Sequence, residues 1–190
     1  MTTNTTALYS KIQPYSFLAE LPMLATFNMI LVACSYISIT LPFSPVPITG
    51  QTFGILIVAM ALGRVRGLAV VMAYLLEGAM GLPVFASGSA GIAKFVGPTG
   101  GYLVGFAASA YLVGYLADKS WDKSFGKTAI AMILGTALIF ITGLAQLSFF
   151  VPSETLFTMG FTPFLPGAVI KIALASVILP SVWKLVKDLK

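Results

Sequence analysis

Three long stretches of this sequence contain no charged residue, and they limit the possible folds more than any other feature. They are Leu21–Gly63, Phe95–Ala117 and Thr128–Ser153. Each can cross a hydrocarbon layer of ~30 Å, which takes about 20 apolar residues in helical form. Lipid offers no hydrogen-bond partners to the backbone, so such stretches are expected to be helices. Only 9% of the chain is charged, against about 25% in soluble domains, which predicts an all-α integral membrane protein.

Glycine, proline and charged residues divide these apolar regions into six predicted membrane-spanning helices. The predicted spans are Leu21–Leu41, Gly50–Gly63, Gly67–Gly81, Gly101–Ala117, Thr128–Phe150 and Phe164–Lys184. We therefore expect a cytoplasmic N-terminal segment, residues 1–20, followed by a six-helix transmembrane substrate-binding domain, residues 21–187. No soluble domain of appreciable size is apparent, so any source of energy is expected to belong to another chain.

The basic residues predict how the bundle is oriented. If the N-terminus is cytoplasmic, nine of the eleven lysines and arginines fall on the cytoplasmic side, as the positive-inside rule requires. Arg64 and Arg66 orient the chain most strongly because their turn is short. Lys94 is then the only basic residue of the outer loops. We expect a multi-pass protein of the bacterial plasma (inner) membrane with both termini cytoplasmic.

Cys34 allows a second interpretation of the first span. Residues 31–34 resemble a lipoprotein cleavage site after an apolar leader. However, the apolar run continues past the cysteine, and Glu20 and Pro22 stand at its start. We therefore expect an uncleaved first span, which an intact-mass measurement of the N-terminus would test.

The absence of histidine restricts the available chemistry. With one cysteine and no histidine, sites for zinc or for a cysteine–histidine nucleophile are nearly excluded. The net charge of +5 follows membrane topology and does not indicate nucleic-acid binding. We expect neither an enzyme nor a resident metal or cofactor.

Lys171 is the strongest candidate for a ligand-binding residue. It lies about seven residues into the last span, where a charged group costs on the order of 3 kcal/mol and is usually functional. Glu77 lies near the outer end of the third span and is a weaker candidate. The alternative for both is an internal ion pair that orders the bundle.

The loop Pro45–Ile48 leads directly into the second span and predicts a lid. Proline restricts the backbone and lowers the entropy cost of ordering a loop. Val46 and Pro47 would cover a ligand, and the polar groups of Thr49 and Gln51 would contact it. Alternatively, Thr49 is the N-cap of the next helix.

Small residues in the first and fourth spans predict close packing between helices. The glycines at 97, 101 and 105 are spaced for close helix contact, and Tyr102 among them is either an interfacial anchor or a wall of the pocket. Ala25 and Ala33, with Met29 between them, form a small-residue stripe on the first span. That stripe suits docking against another helix, in the bundle or in a partner.

Four segments together resemble the biotin-specific substrate-capture subunit, or S component, of energy-coupling-factor (ECF) transporters, the BioY family. The matching segments are Pro45–Thr52, Gly81–Ala86, Gly97–Tyr102 and Pro166-Gly167 followed by Lys171. Their order and spacing match from about residue 20 to the C-terminus. The resemblance implies a six-helix bundle that binds biotin from outside and catalyses no reaction. It also implies a transmembrane coupling subunit, which would contact Ala25, Met29 and Ala33, and two cytoplasmic ATPases.

The sequence departs from this family pattern at Ala168, where the family usually has aspartate. The ureido ring of biotin would then lose an expected acceptor, and an unpaired buried polar group costs roughly 1–3 kcal/mol. We expect Glu77 to replace this acceptor, with Phe85 and Tyr102 as apolar walls of the site.

The function expected from the sequence is therefore that of a biotin-capture subunit. The alternatives are a stand-alone secondary transporter for biotin or a related small anion, an intramembrane enzyme, and a purely structural subunit. Internal repeats, which would favour the first, amount to a short echo at 102–105 and 111–114.

Overall fold

The computed structural model of the protein describes residues 17–188. Seven α-helices are α1 Phe17–Tyr36, α2 Gln51–Ala79, α3 Ala93–Val96, α4 Gly100–Asp118, α5 Phe125–Leu147, α6 Ser153–Gly160 and α7 Leu165–Asp188. Two strands, β1 Ser38–Leu41 and β2 Ser44–Thr49, form an antiparallel hairpin. Short 3₁₀ turns cover Ala86–Gly88, Trp121–Lys123 and Thr162–Phe164.

Helix α2 folds back on itself at Gly63. The φ and ψ of Gly63 are 77° and −177°, a conformation that is almost restricted to glycine. The two arms consequently lie side by side: Gln51 donates a hydrogen bond to Tyr74, and a Cβ on Gly67 would approach Ala59 Cα to 2.7 Å. The two arms correspond to the predicted second and third spans.

The described residues contain four helical stretches that are long and apolar enough to cross a membrane. They are Gln51–Ala79, Gly100–Asp118, Phe125–Leu147 and Ser153–Leu185, of which the last contains α6 and most of α7. The apolar part of α1, Glu20–Tyr36, is shorter. The all-α membrane architecture is thus confirmed, whereas the count of six crossings stays a prediction.

The predicted first span, Leu21–Leu41, was wrong at its C-terminal end. Helix α1 begins at Phe17, inside the segment assigned to the N-terminus, and residues 1–16 lie outside the described part of the chain. Its C-terminal end is Tyr36, because Ser38–Leu41 pairs with the strand that contains Val46. An apolar run with β-branched residues suits a strand as well as a helix, so hydropathy alone did not separate the two.

Close helix contacts hold the bundle together. Helix α2 packs against α1 and α4, α4 packs against α5, and α5 packs against α7. A Cβ on Gly101 or Gly105 would collide with Thr142 of α5, which confirms that these glycines permit close approach of α4 and α5. Ser109 of α4 also donates a hydrogen bond of 2.8 Å to Gly135 O of α5, which fixes how α5 is rotated.

The six predicted spans leave three connections outside the membrane, Pro42–Thr49, Leu82–Gly100 and Val151–Pro163, and their apolar residues predict lids over the helix ends. In the structure these connections contact one another or the same helix ends, and we call this the outer end. Ser44 of the β1–β2 hairpin donates a hydrogen bond of 2.7 Å to Met159 O of α6. Gln146 Nε2 of α5 donates hydrogen bonds to Phe95 O and Gly97 O in the 82–99 connection, both at 2.8 Å. The hairpin, the 82–99 connection and α6 therefore cover the helix ends, as predicted for lids.

Candidate functional site

A cavity of about 340 Å³ lies beneath these outer connections. The hairpin, α2, the 82–99 connection, α4, α5 and α7 all contribute to its wall. Seven of the eight side chains predicted to bind ligand line this cavity: Val46, Pro47, Thr49, Gln51, Phe85, Tyr102 and Lys171. Segments far apart in sequence thus meet at one site.

Lys171 is held at the cavity by two hydrogen bonds, one to the end of β2 and one to the first turn of α2. Its Nζ donates to Thr49 O at 2.6 Å and to Thr52 Oγ1 at 2.9 Å. An ammonium group has three donors, so one N–H is left for a ligand. Within residues 17–188, no carboxylate forms an ion pair with Lys171, and the predicted alternative of an internal ion pair is therefore wrong.

Gln51 and Thr49 are held in place by their own hydrogen bonds. Thr49 Oγ1 donates to Gln51 Oε1 at 3.1 Å and accepts from Gln51 N at 3.3 Å. The Gln51 amide also donates to Tyr74 and is 5% exposed. The N-cap of α2 is Gly50 rather than Thr49. Gln51 therefore links the two arms of α2 and fixes the loop that bonds Lys171.

Phe85 and Tyr102 form apolar walls. The Phe85 ring packs edge-on against Tyr74, with centroids 5.5 Å apart, and against Phe95 at 5.9 Å. Tyr102 is 7% exposed and its hydroxyl donates to Gly160 O of α6 at 2.8 Å. Of the two roles left open for Tyr102, the structure places it in the wall and not at the interface with lipid.

Glu77 does not line the cavity, so its proposed role as the replacement acceptor is contradicted by the geometry. Its Oε1 accepts a hydrogen bond of 3.2 Å from Asn28 Nδ2 of α1. The neighbours Tyr74 and Gly78 face Phe85, and a shift of one helical residue from Gly78 turns the side chain by about 100°. Ala168 does line the cavity, and Glu77 cannot compensate for it from the side facing α1.

Several polar residues at the cavity were not among the predicted ligand-binding residues, and three of them matter for the site. Lys94 lies in the short helix α3 and is exposed at the cavity wall. The available signal was that Lys94 is the only basic residue of the predicted outer loops. Thr52 bonds Lys171, and Thr136 lines the wall from α5. Thr52 ends a segment that resembles the BioY family but had no predicted role, and nothing in the sequence distinguished Thr136 from other threonines in apolar helices.

The residues predicted to dock a partner lie on one side of α1. Ala25, Met29 and Ala33 are all exposed, Met29 to 67%. The described part of the chain thus leaves this stripe uncovered, and its role in docking stays a prediction.

Comparison with known proteins decides the family. The model of the BioY family matches residues 4–188, nearly the whole chain. The chain belongs to the BioY family. A relative, the biotin transporter BioY of Thermotoga maritima, is 39% identical over 153 residues, covering 80% of this chain and 88% of its own. The biotin transporter BioY of Rhizobium etli is 34% identical, covering 84% of this chain and 90% of its own.

A solved structure supports the same assignment. It is the crystal structure of the S component for biotin from an ECF-type ABC transporter. It superimposes with a TM-score of 0.77 at 29% identity, covering 88% of this chain and 92% of the other. The predicted resemblance to the BioY family is therefore confirmed.

Proposed function

We propose that this protein binds biotin at the outer cavity and is the S component of an ECF-type uptake system. It is a membrane transport protein and not an enzyme, as its family indicates. The observation that carries the choice of site is the Lys171 ammonium, which has one N–H left for a ligand and a cavity beside it.

The cavity suits a ligand of this size and character. Sites for small molecules measure roughly 300–1,000 Å³ and combine apolar walls with a few polar groups. At about 340 Å³, the cavity is at the small end of that range. Phe85, Tyr102, Val46 and Pro47 would cover the apolar part of biotin.

The two lysines suggest how biotin is oriented. Lys171 is half-buried and has one N–H left, which suits a single acceptor such as the ureido carbonyl. Lys94 is exposed, so the carboxylate could meet it while keeping part of its hydration. Thr49 and Gln51 would hold the Lys171 ammonium in position for the ureido carbonyl.

We further propose the cellular location of the protein and its partner chains. It would lie in the bacterial plasma membrane as a multi-pass protein with both termini cytoplasmic. A transmembrane coupling subunit would dock on Ala25, Met29 and Ala33, and two cytoplasmic ATPases would supply energy. Besides these chains, the protein would contact membrane lipid, and we propose no nucleic-acid partner. Biotin is cargo here, and no resident cofactor is proposed.

Binding by the purified protein tests this proposal. We expect isothermal titration in detergent to show one biotin per chain, and mass spectrometry to find biotin among co-purified small molecules. Failure of the folded protein to bind biotin would overturn the choice of ligand. Biotin uptake into vesicles by this chain alone would instead favour a secondary transporter.

A further inference from the structure

Thr136 is the only polar side chain that α5 contributes to the cavity. The other α5 residues at the wall are Met132, Ile139 and Phe140. Among the described residues, the Thr136 hydroxyl has no hydrogen-bond partner. Threonines inside helices commonly bond the carbonyl one turn back, as Thr142 does to Leu138 O at 3.0 Å. Thr136 therefore has an unused donor and acceptor at the wall of an otherwise apolar helix face.

The packing of α5 against α7 places Thr136 opposite Ala168. At the outer end the rings of Phe140 and Phe164 lie 6.2 Å apart. At the other end Trp183 of α7 hydrogen-bonds Asp122, just before α5 begins. Both contacts fix the same antiparallel register. One turn inward from the two phenylalanines, this register pairs Thr136 with Ala168.

Ala168 leaves room between the two helices at this level. Its side chain is a single methyl group, and both it and Thr136 line the cavity. A planar polar group that occupies the cavity next to this methyl group can therefore reach the Thr136 hydroxyl. Ser109 holds Gly135 O at 2.8 Å, which fixes the rotation of the α5 turn that carries Thr136.

The Lys171 side chain extends to the same height in the bundle as Thr136 and Ala168. It follows Ala168 by three residues, and helical side chains lean toward the N-terminus of their own helix. The N-terminus of α7 is its outer end, so the Lys171 side chain leans back toward Ala168. A cyclic urea whose carbonyl accepts from Lys171 would then have an N–H next to Thr136.

We propose that Thr136 is a specificity-determining residue, whose hydroxyl accepts a hydrogen bond from a ureido N–H of the ligand. This rests on the proposed function, since it specifies how the same cavity recognises biotin. Thr136 would accept a hydrogen bond from the ureido N–H, and Lys171 would donate one to the ureido carbonyl.

Isothermal titration of biotin into three variants tests this role. Thr136→Val replaces the hydroxyl with a methyl group of similar size, and we expect affinity to fall about tenfold. Thr136→Ser keeps the hydroxyl and should bind within about threefold of the unmodified protein. Thr142→Val makes the same chemical change outside the cavity and should leave affinity unchanged. Thermal unfolding of each variant shows whether the fold is retained.

Desthiobiotin, which keeps the ureido ring but lacks the sulfur, identifies the group that Thr136 contacts. We expect Thr136→Val to weaken desthiobiotin and biotin by the same factor. Equal biotin affinity in Thr136→Val and the unmodified protein would overturn the proposal. So would a loss that is limited to biotin, because the hydroxyl would then contact the sulfur. If the unmodified protein bound no biotin, the proposed function itself would fail.

Discussion

Two lysine side chains reach the same cavity from different surroundings. Lys171 is half-buried and bonded to Thr49 O and Thr52 Oγ1, whereas Lys94 is exposed in α3. A charge within a predicted span requires an explanation, so Lys171 was found from the sequence. A lysine in a loop usually lies in water, and only the fold brings Lys94 to the cavity.

Lys94 is predicted to contact the ligand carboxylate. We expect Lys94→Ala to weaken biotin binding about two- to fivefold, since an exposed charge pair contributes up to about 1 kcal/mol. Isothermal titration with biotin and with its neutral methyl ester measures this. The ester should bind the variant and the unmodified protein alike, and an equal loss for both ligands would contradict a carboxylate contact.

Replacing Glu77, unlike replacing Lys94, is predicted to leave biotin binding nearly unchanged. Its carboxylate bonds Asn28 on the side of α2 that faces α1, so Glu77→Gln should leave the dissociation constant for biotin within about twofold. Fluorescence or calorimetric titration would check this. A tenfold loss would mean that Glu77 acts on the site despite its position.

The contrast between Glu77 and Lys171 shows what residue-level reasoning can find. Position along a span predicts the depth of a side chain in the membrane, and for both residues it predicts a place near the outer side. Which way a side chain faces depends on helix rotation at about 100° per residue. That rotation is set by partners such as Phe85 on Gly78 and Tyr74, which the sequence did not specify.

At the scale of elements, the turn at Gly63 determines where both arms of α2 lie. The sequence predicted this turn from two glycines and two arginines, because charged residues and glycine interrupt apolar runs. The β1–β2 hairpin was not predicted, since its strand Ser38–Leu41 continues the apolar run of α1. Only pairing with Ser44–Thr49 satisfies its backbone as a strand.

Replacing Gly63 should destabilise the protein. Its φ of 77° and ψ of −177° would strain any other residue by about 1–3 kcal/mol. We expect Gly63→Ala to lower the thermal unfolding midpoint by several degrees in detergent. Gly126→Ala is the matched control, because a Cβ there meets no atom within 4 Å and alanine favours a helix. If both variants unfolded at the same temperature, the turn would not depend on glycine.

For the whole molecule, the proposed ligand site and the proposed docking stripe lie on different surfaces. The cavity lies under the outer connections, whereas Ala25, Met29 and Ala33 are exposed on α1. The family and the membrane architecture could be predicted from four ordered segments and from charge-free stretches. The cavity itself could not, because it is formed by six elements whose contacts are set only by the complete fold.

This separation predicts that docking can be disrupted without loss of ligand. We expect Ala33→Trp to prevent close approach of a coupling subunit, since helix contacts in membranes depend on small residues. Affinity purification with co-expressed coupling subunit and ATPases should recover much less of the complex, while biotin titration should be unchanged. Full recovery of the complex would show that docking uses another surface.

The binding constant of Lys171→Ala tests the account most directly. Losing a hydrogen bond to a charged group costs about 1.5–3 kcal/mol, so isothermal titration should show biotin binding weakened about tenfold to more than a hundredfold. Lys127→Ala, which removes an exposed lysine at the other end of the bundle, should bind like the unmodified protein. If folded Lys171→Ala bound biotin as tightly as the unmodified protein, Lys171 would have no part in holding the ligand.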